Sequence, residues 1–144
     1  MQKVCVLTMA MIALVVVPLG ADDTPVTKVA ATECAALGAL RLPDVAISAA
    51  AAMAPAPDEG RVKVPHCKVT GVIGTEIRFE VLLPDTWNRR FAMGGGGGFV
   101  GSVQNQFVDV VNRGYATAGT DTGHQAPGMQ ARWALAHPER QVNY

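Results

Sequence analysis

The sequence predicts an α/β fold in which a β-hairpin is followed by a short strand, a glycine-rich loop, a helix and a further strand. Three observations predict it. Between Cys67 and Leu83 apolar and polar residues alternate with period two, the pattern of strands buried on one face. Five consecutive glycines, Gly94 to Gly98, then interrupt the pattern. After them Val103, Phe107, Val110 and Val111 recur at helical spacing, and Tyr115 to Gly119 forms another short strand-like run.

Each element follows in order. Residues 1–21 read as an export signal: Lys3 gives a thin positive end, Val4 to Val17 an apolar segment, and Pro18-Leu19-Gly20-Ala21 small residues for cleavage before Asp22-Asp23. A stable membrane anchor is the competing reading, but a spanning helix needs about 20 apolar residues. This run is shorter and closes on Pro, Gly and two acids. Residues 22–65 are expected to be a helical or irregular segment. Asp22 to Val29 is polar, Thr32 to Leu37 a short helix with Thr32 near its cap, and the alanines of 49–54 favour helix until Pro55, Pro57 and Gly60 break it. Ala54 to Pro65 reads as a surface connection.

From residue 66 to residue 144 the α/β pattern runs. The strand around Cys67 to Val72 and the strand Ile77 to Leu83 are joined by a tight turn at Gly74-Thr75. Pro84 to Asn88 is a turn, and Arg90 to Met93 a short strand. A helix is expected over roughly Ser102 to Asn112, with Gly114 as its C-terminal cap. The strand Tyr115 to Gly119 then ends at Thr120-Asp121-Thr122-Gly123-His124.

Composition bounds the function. The chain has 144 residues, with 12 basic and 12 acidic side chains and no run of like charge, which argues against electrostatic capture of nucleic acid. Hydrophobic residues make up 49% and aromatic residues 6%, so a single-domain core must be built mainly from Val, Leu, Ile and Ala. Of three cysteines, Cys5 leaves with the signal. Cys34 and Cys67 remain as an even pair in an exported chain, without zinc-ligand spacing; a disulfide is the plain inference and two unrelated buried thiols the alternative.

The glycine run has competing readings. Gly96, Gly98 and Gly101 match G-x-G-x-x-G, and Asp121 follows about twenty residues later, as in a dinucleotide site. Five glycines in a row satisfy almost any glycine pattern, however, and the export signal and the preceding hairpin both fit that site poorly. A phosphate loop lacks its Gly-Lys-Ser/Thr. A flexible surface loop is a third reading. The fourth is an oxyanion loop of an α/β-hydrolase, where a glycine-rich turn after a strand offers a backbone N–H to a developing alkoxide.

Three segments carry a resemblance: Phe79 to Phe91 (FEVLLPDTWNRRF), Met93 to Gly98 (MGGGGG), and Arg113 to His124 (RGYATAGTDTGH). In this order and at these intervals they resemble the tannase and feruloyl esterase family, which also holds bacterial enzymes cleaving terephthalate monoesters. The likeness covers roughly Cys34 to Tyr144. It implies the N-terminal part of an α/β-hydrolase fold, a Cys34–Cys67 disulfide, and a further helix led into by Ala134 to Glu139. It also implies a secreted or periplasmic serine esterase acting on small esters of hydroxylated aromatic acids, with an inserted lid that often carries calcium. The family's nucleophile sits in Cys-Ser-x-Gly-Gly. That motif is absent here, as is Gly-x-Ser-x-Gly; the only serines are Ser48 and Ser102. The expectation is therefore a chain that stops mid-fold, with serine, triad acid, triad histidine and lid beyond Tyr144, and inactive alone.

By the same resemblance Gly98 matches the oxyanion donor, with Gly97 beside it and Gly101 closing the turn. Asp121 and His124 could pair as acid and base, but a loop histidine near an aspartate more often anchors its loop by hydrogen bonds. Loop support beside the active site is the expected role for both. His66 and His137 read as surface residues, and Trp87 and Trp133 as packing residues rather than substrate platforms. No metal site is assigned and no cofactor is expected in this chain, calcium belonging to the lid. Oligomeric state is not readable. A short secreted module that binds an aromatic ligand without chemistry is the alternative function.

Overall fold

The computed structural model describes residues 31–127 and 129–144; the export-signal reading, Cys5 and the polar segment Asp22 to Val29 fall outside them. Helix α1 spans Ala31–Leu37, followed by strands β1 (Val45–Met53), β2 (His66–Ile73), β3 (Ile77–Pro84), β4 (Phe91–Met93) and β5 (Ala116–Thr120). A 3-10 helix covers Val108–Arg113, another Arg132–Ala134, and helix α2 covers Pro138–Asn143.

The strands form one sheet in the order β1-β2-β3-β5-β4. The predicted hairpin is there: β2 and β3 pair antiparallel from His66↔Pro84 to Ile73↔Ile77. Alternation sends Val69, Phe79, Val81 and Leu83 to one face, where they pack with Cys34 and Leu37 of α1. Leu82 points to the other face, against Val62, Val64, Val108 and Val111. Each such side chain fully removed from water contributes roughly 1.5–3 kcal/mol before chain entropy is counted. A disulfide joins Cys34 to Cys67, with Cα atoms 5.6 Å apart, and fastens α1 to β2.

Two expectations are corrected. The alanine-rich stretch is a strand, not a helix: β1 pairs antiparallel along the length of β2, with a bulge between Ile47 and Ala49. Backbone pairing to a neighbour overrides a propensity worth only tenths of a kcal/mol per residue. The sheet is mixed, since only β4 and β5 run parallel while β1, β2, β3 and β5 are antiparallel. The helix expected from Ser102 shrinks to the 3-10 turn Val108–Arg113. Gln104 instead donates its N–H to the Thr120 carbonyl at 3.2 Å, extending the sheet edge, and Val103 and Phe107 stay exposed. Only Val111 of the four apolar positions is buried. Gly114 caps that turn as expected, in the left-handed region at φ 81°.

Candidate functional site

Because β4 and β5 are parallel neighbours, paired from Phe91↔Ala116 to Met93↔Ala118, their carboxyl ends leave the sheet at the same edge. The glycine run follows β4 and the Asp121–His124 turn follows β5, so the two predicted loops lie side by side. Crevices beyond the carboxyl ends of parallel strands are where open α/β sheets bind ligands.

The glycine run is a folded turn. The Val100 N–H returns to the Gly97 carbonyl at 3.2 Å, and Val100 is buried beneath the run. Gly98 sits at φ 62° and Gly101 at φ 83°. Gly98 is exposed, and the N–H groups of Gly96 to Phe99 donate to no described residue. At Gly101 a side chain has no room: a Cβ would lie 1.9 Å from the Ala126 carbonyl oxygen. The two loops touch there, the Ala126 N–H donating to the Gly101 carbonyl at 3.3 Å. Gly119 has a similar role under the Gln104 crossing, since a Cβ on it would meet the Gln104 oxygen at 2.1 Å. The loop does not open directly into a helix, which removes the geometry a dinucleotide site requires.

Asp121 is fully buried and its carboxylate accepts three hydrogen bonds. Oδ1 accepts the Arg78 N–H at 2.9 Å and the Gly123 N–H at 3.0 Å, and Oδ2 accepts from the Gln125 side chain. These bonds fix the turn in which Thr122 and Gly123 take φ of 56° and 86°. Asp121 therefore anchors the loop. His124, 2% exposed, does not anchor it by side-chain hydrogen bonds: neither ring nitrogen has a partner among the described residues. Its ring stacks instead on Trp133, with centroids 3.9 Å apart and planes at 16°. No side-chain bond links Asp121 to His124, so they do not form an acid–base pair in this arrangement.

Sequence reasoning missed the fastening of the glycine loop. Phe99 meets Trp133 edge-on at 6.3 Å, Tyr144 lies 5.6 Å from Trp133, and the Tyr144 hydroxyl donates to the Gly98 carbonyl. Trp133 and Tyr144 thus tie the loop after β4 to the loop after β5. No local pattern announces a contact between residues so far apart in the chain. Trp133 packs as expected, whereas Trp87 is 43% exposed and spends its indole N–H on the Arg90 carbonyl. His66, expected at the surface, is buried at 7% with Nδ1 on the Val64 carbonyl, while His137 is exposed. Ser48 lies on β1 and Ser102 just after the glycine loop, both exposed. Among the described residues no group of three His, Cys, Asp or Glu converges to hold a metal. None of their helices is long and apolar enough to cross a membrane.

The chain is similar to known proteins in sequence and in fold. A family model described as tannase and feruloyl esterase matches residues 62–144. An uncharacterized esterase of Xanthomonas campestris pv. campestris is 38% identical over 131 residues, covering 82% of this chain and 23% of the relative. A mono(2-hydroxyethyl) terephthalate hydrolase of Piscinibacter sakaiensis is 34% identical over 88 residues, covering 49% of this chain and 15% of that protein. The crystal structure of feruloyl esterase B from Aspergillus oryzae superposes with a TM-score of 0.67 at 19% identity, over 78% of this chain and 25% of that one. That likeness concerns the fold. The chain thus spans a quarter or less of each of these three proteins.

Proposed function

This chain belongs to the tannase and feruloyl esterase family, and on that premise we propose that it supplies the oxyanion loop of a carboxylic ester hydrolase for esters of hydroxylated aromatic acids. One observation carries the reading. The exposed Gly98, whose N–H has no described partner, is held by Tyr144 and Trp133 at the carboxyl edge of the parallel pair β4–β5.

In the proposed reaction a serine oxygen bonds to the ester carbonyl carbon, its proton passing to a histidine, and the carbonyl oxygen becomes an alkoxide. The Gly98 N–H donates to that oxygen. Collapse expels the alcohol, which takes the proton, and leaves an acyl-serine for water to hydrolyse. Neither serine of this chain stands in a nucleophile motif, so the serine, its histidine and its aspartate come from residues outside these 144. Gly97 and Gly101 shape the turn, and Asp121 and His124 support it. Export to periplasm or medium accords with the disulfide.

The test is turnover of a chromogenic aryl ester by the complete, serine-bearing hydrolase. Gly98→Pro removes the donor and, because proline cannot take the φ of 62° found there, also displaces the turn, so kcat is expected to fall by at least about 10²-fold. Unchanged turnover would sink the assignment. The 144-residue chain alone is expected to hydrolyse nothing; activity abolished by Ser102→Ala would overturn the reading.

A further inference from the structure

We propose that the sheet face turned away from α1 carries a second binding site, for a small neutral phenol whose hydroxyl donates to Nε2 of His66. The site is a pocket of about 530 Å³ between the 54–62 connection, β2, β3 and the 3-10 turn Val108–Arg113. That volume lies within the range of small-molecule sites, about 300–1,000 Å³. None of its lining residues belongs to the glycine loop or the Asp121–His124 turn, so it is independent of the ester-hydrolysis reading.

The chemistry of the ligand follows from the wall. The floor is apolar, made by Val62, Leu82 and Val108. Two cations reach the rim, but each has its own carboxylate: Lys68 pairs with Glu80 at 2.6 Å, and Arg61 clasps Asp109. The pocket therefore has no unbalanced charge to draw an anion. Its polar feature is His66, 93% removed from solvent, which donates Nδ1–H to the Val64 carbonyl at 3.0 Å. A carbonyl only accepts, so the neutral ring carries its proton on Nδ1 and presents a lone pair at Nε2. His66 lines the pocket, and no hydrogen bond to its Nε2 is found among the described residues. An apolar floor with one convergent acceptor fits an apolar ring bearing one hydroxyl.

The pocket is also preorganised. The Ala56 N–H donates to the Val62 carbonyl at 2.8 Å, and Asn112 bonds both neighbours of Val62, accepting the Lys63 N–H at 2.6 Å and donating to the Arg61 carbonyl at 2.8 Å. Little ordering is left for a ligand to impose.

The experiment titrates the isotope-labelled full chain with p-cresol and, separately, with toluene, reading imidazole nitrogen and methyl NMR signals. p-Cresol should saturate, moving Nε2 of His66 and the methyls of Val62 and Leu82. Toluene, lacking the hydroxyl, should bind roughly tenfold more weakly. His66→Phe should reduce p-cresol to the toluene affinity, and Val108→Trp, which fills the pocket from its floor, should abolish both. Equal binding of the two ligands by the unmodified chain, shifts that leave His66 unmoved, or no saturable binding would each overturn the proposal. These readings on the unmodified chain decide it even if a variant fails to fold.

Discussion

Replacing Gly101 with alanine probes the junction on which the candidate site depends. Two costs are legible in the structure. The residue sits at φ 83°, where a non-glycine L-residue is disfavoured by roughly 1–2 kcal/mol. The new Cβ would also lie 1.9 Å from the Ala126 carbonyl oxygen, 2.8 Å from its carbon and 2.9 Å from its nitrogen, so backbone rather than a flexible side chain must yield. Moving that backbone breaks the 3.3 Å bond from the Ala126 N–H to the Gly101 carbonyl, worth about 0.5–1.5 kcal/mol net. The expected loss is about 2 to 3 kcal/mol. Gly97→Ala is the internal control, because its Cβ meets nothing within 4 Å and its φ is not in the left-handed region. It should fall within about 0.5 kcal/mol of the parent, or stabilise slightly through the unfolded chain. Urea unfolding followed by both far-UV circular dichroism and tryptophan fluorescence gives the difference and tests two-state behaviour. A Gly101→Ala chain within about 0.5 kcal/mol of the parent, or a Gly97→Ala chain equally damaged, would refute the reasoning.

Other perturbations follow from the same coordinates. Removing the Cys34–Cys67 bridge, at sequence separation 33, as the double alanine variant should cost about 4 kcal/mol on the loop-entropy account; an unshifted urea midpoint would contradict it. Asp121→Ala leaves the Arg78 and Gly123 amides without their buried acceptor and should cost about 2–5 kcal/mol. Asp121→Asn keeps one oxygen and should cost clearly less, and equal losses in urea would deny the anchoring role. The hydrogen bond from Arg61, more than its charge, holds the Asp109 carboxyl below the ordinary carboxylate range. A depressed acid contributes stability above its unfolded pKa and loses it as pH falls through the folded value, so this contribution fades below about pH 4. Asp109→Asn should flatten that acid limb, and superimposable pH–stability curves for parent and variant would show the pair contributes nothing.

Much of the scaffold was legible because its signals are local. Period-two alternation marked β2 and β3, the turn at Gly74 set their connection, and Gly114 stopped the 3-10 turn where a left-handed cap belongs. Alternation was sufficient because a hairpin's register depends on residues adjacent in sequence. Where the outcome depended on a distant neighbour, local reading failed. The alanines of β1 favour helix in isolation, yet β2 offers them a ladder of hydrogen bonds. Val103 and Phe107 have helical spacing, yet Gln104 is captured by Thr120.

The amino-acid sequence by itself determined the family motifs, the cysteine pair and the succession of strand, glycine loop and strand, since each is a matter of residue type and short spacing. Only the tertiary structure decided what those parts do to one another. It set the two loops side by side, gave the side-chain hydrogen bonding to Asp121 rather than His124, stapled Gly98 through Tyr144, and buried His66 against the Val64 carbonyl. These are contacts between residues separated by tens of positions. Their energies exist only once the sheet has brought the residues together, and no local pattern encodes them.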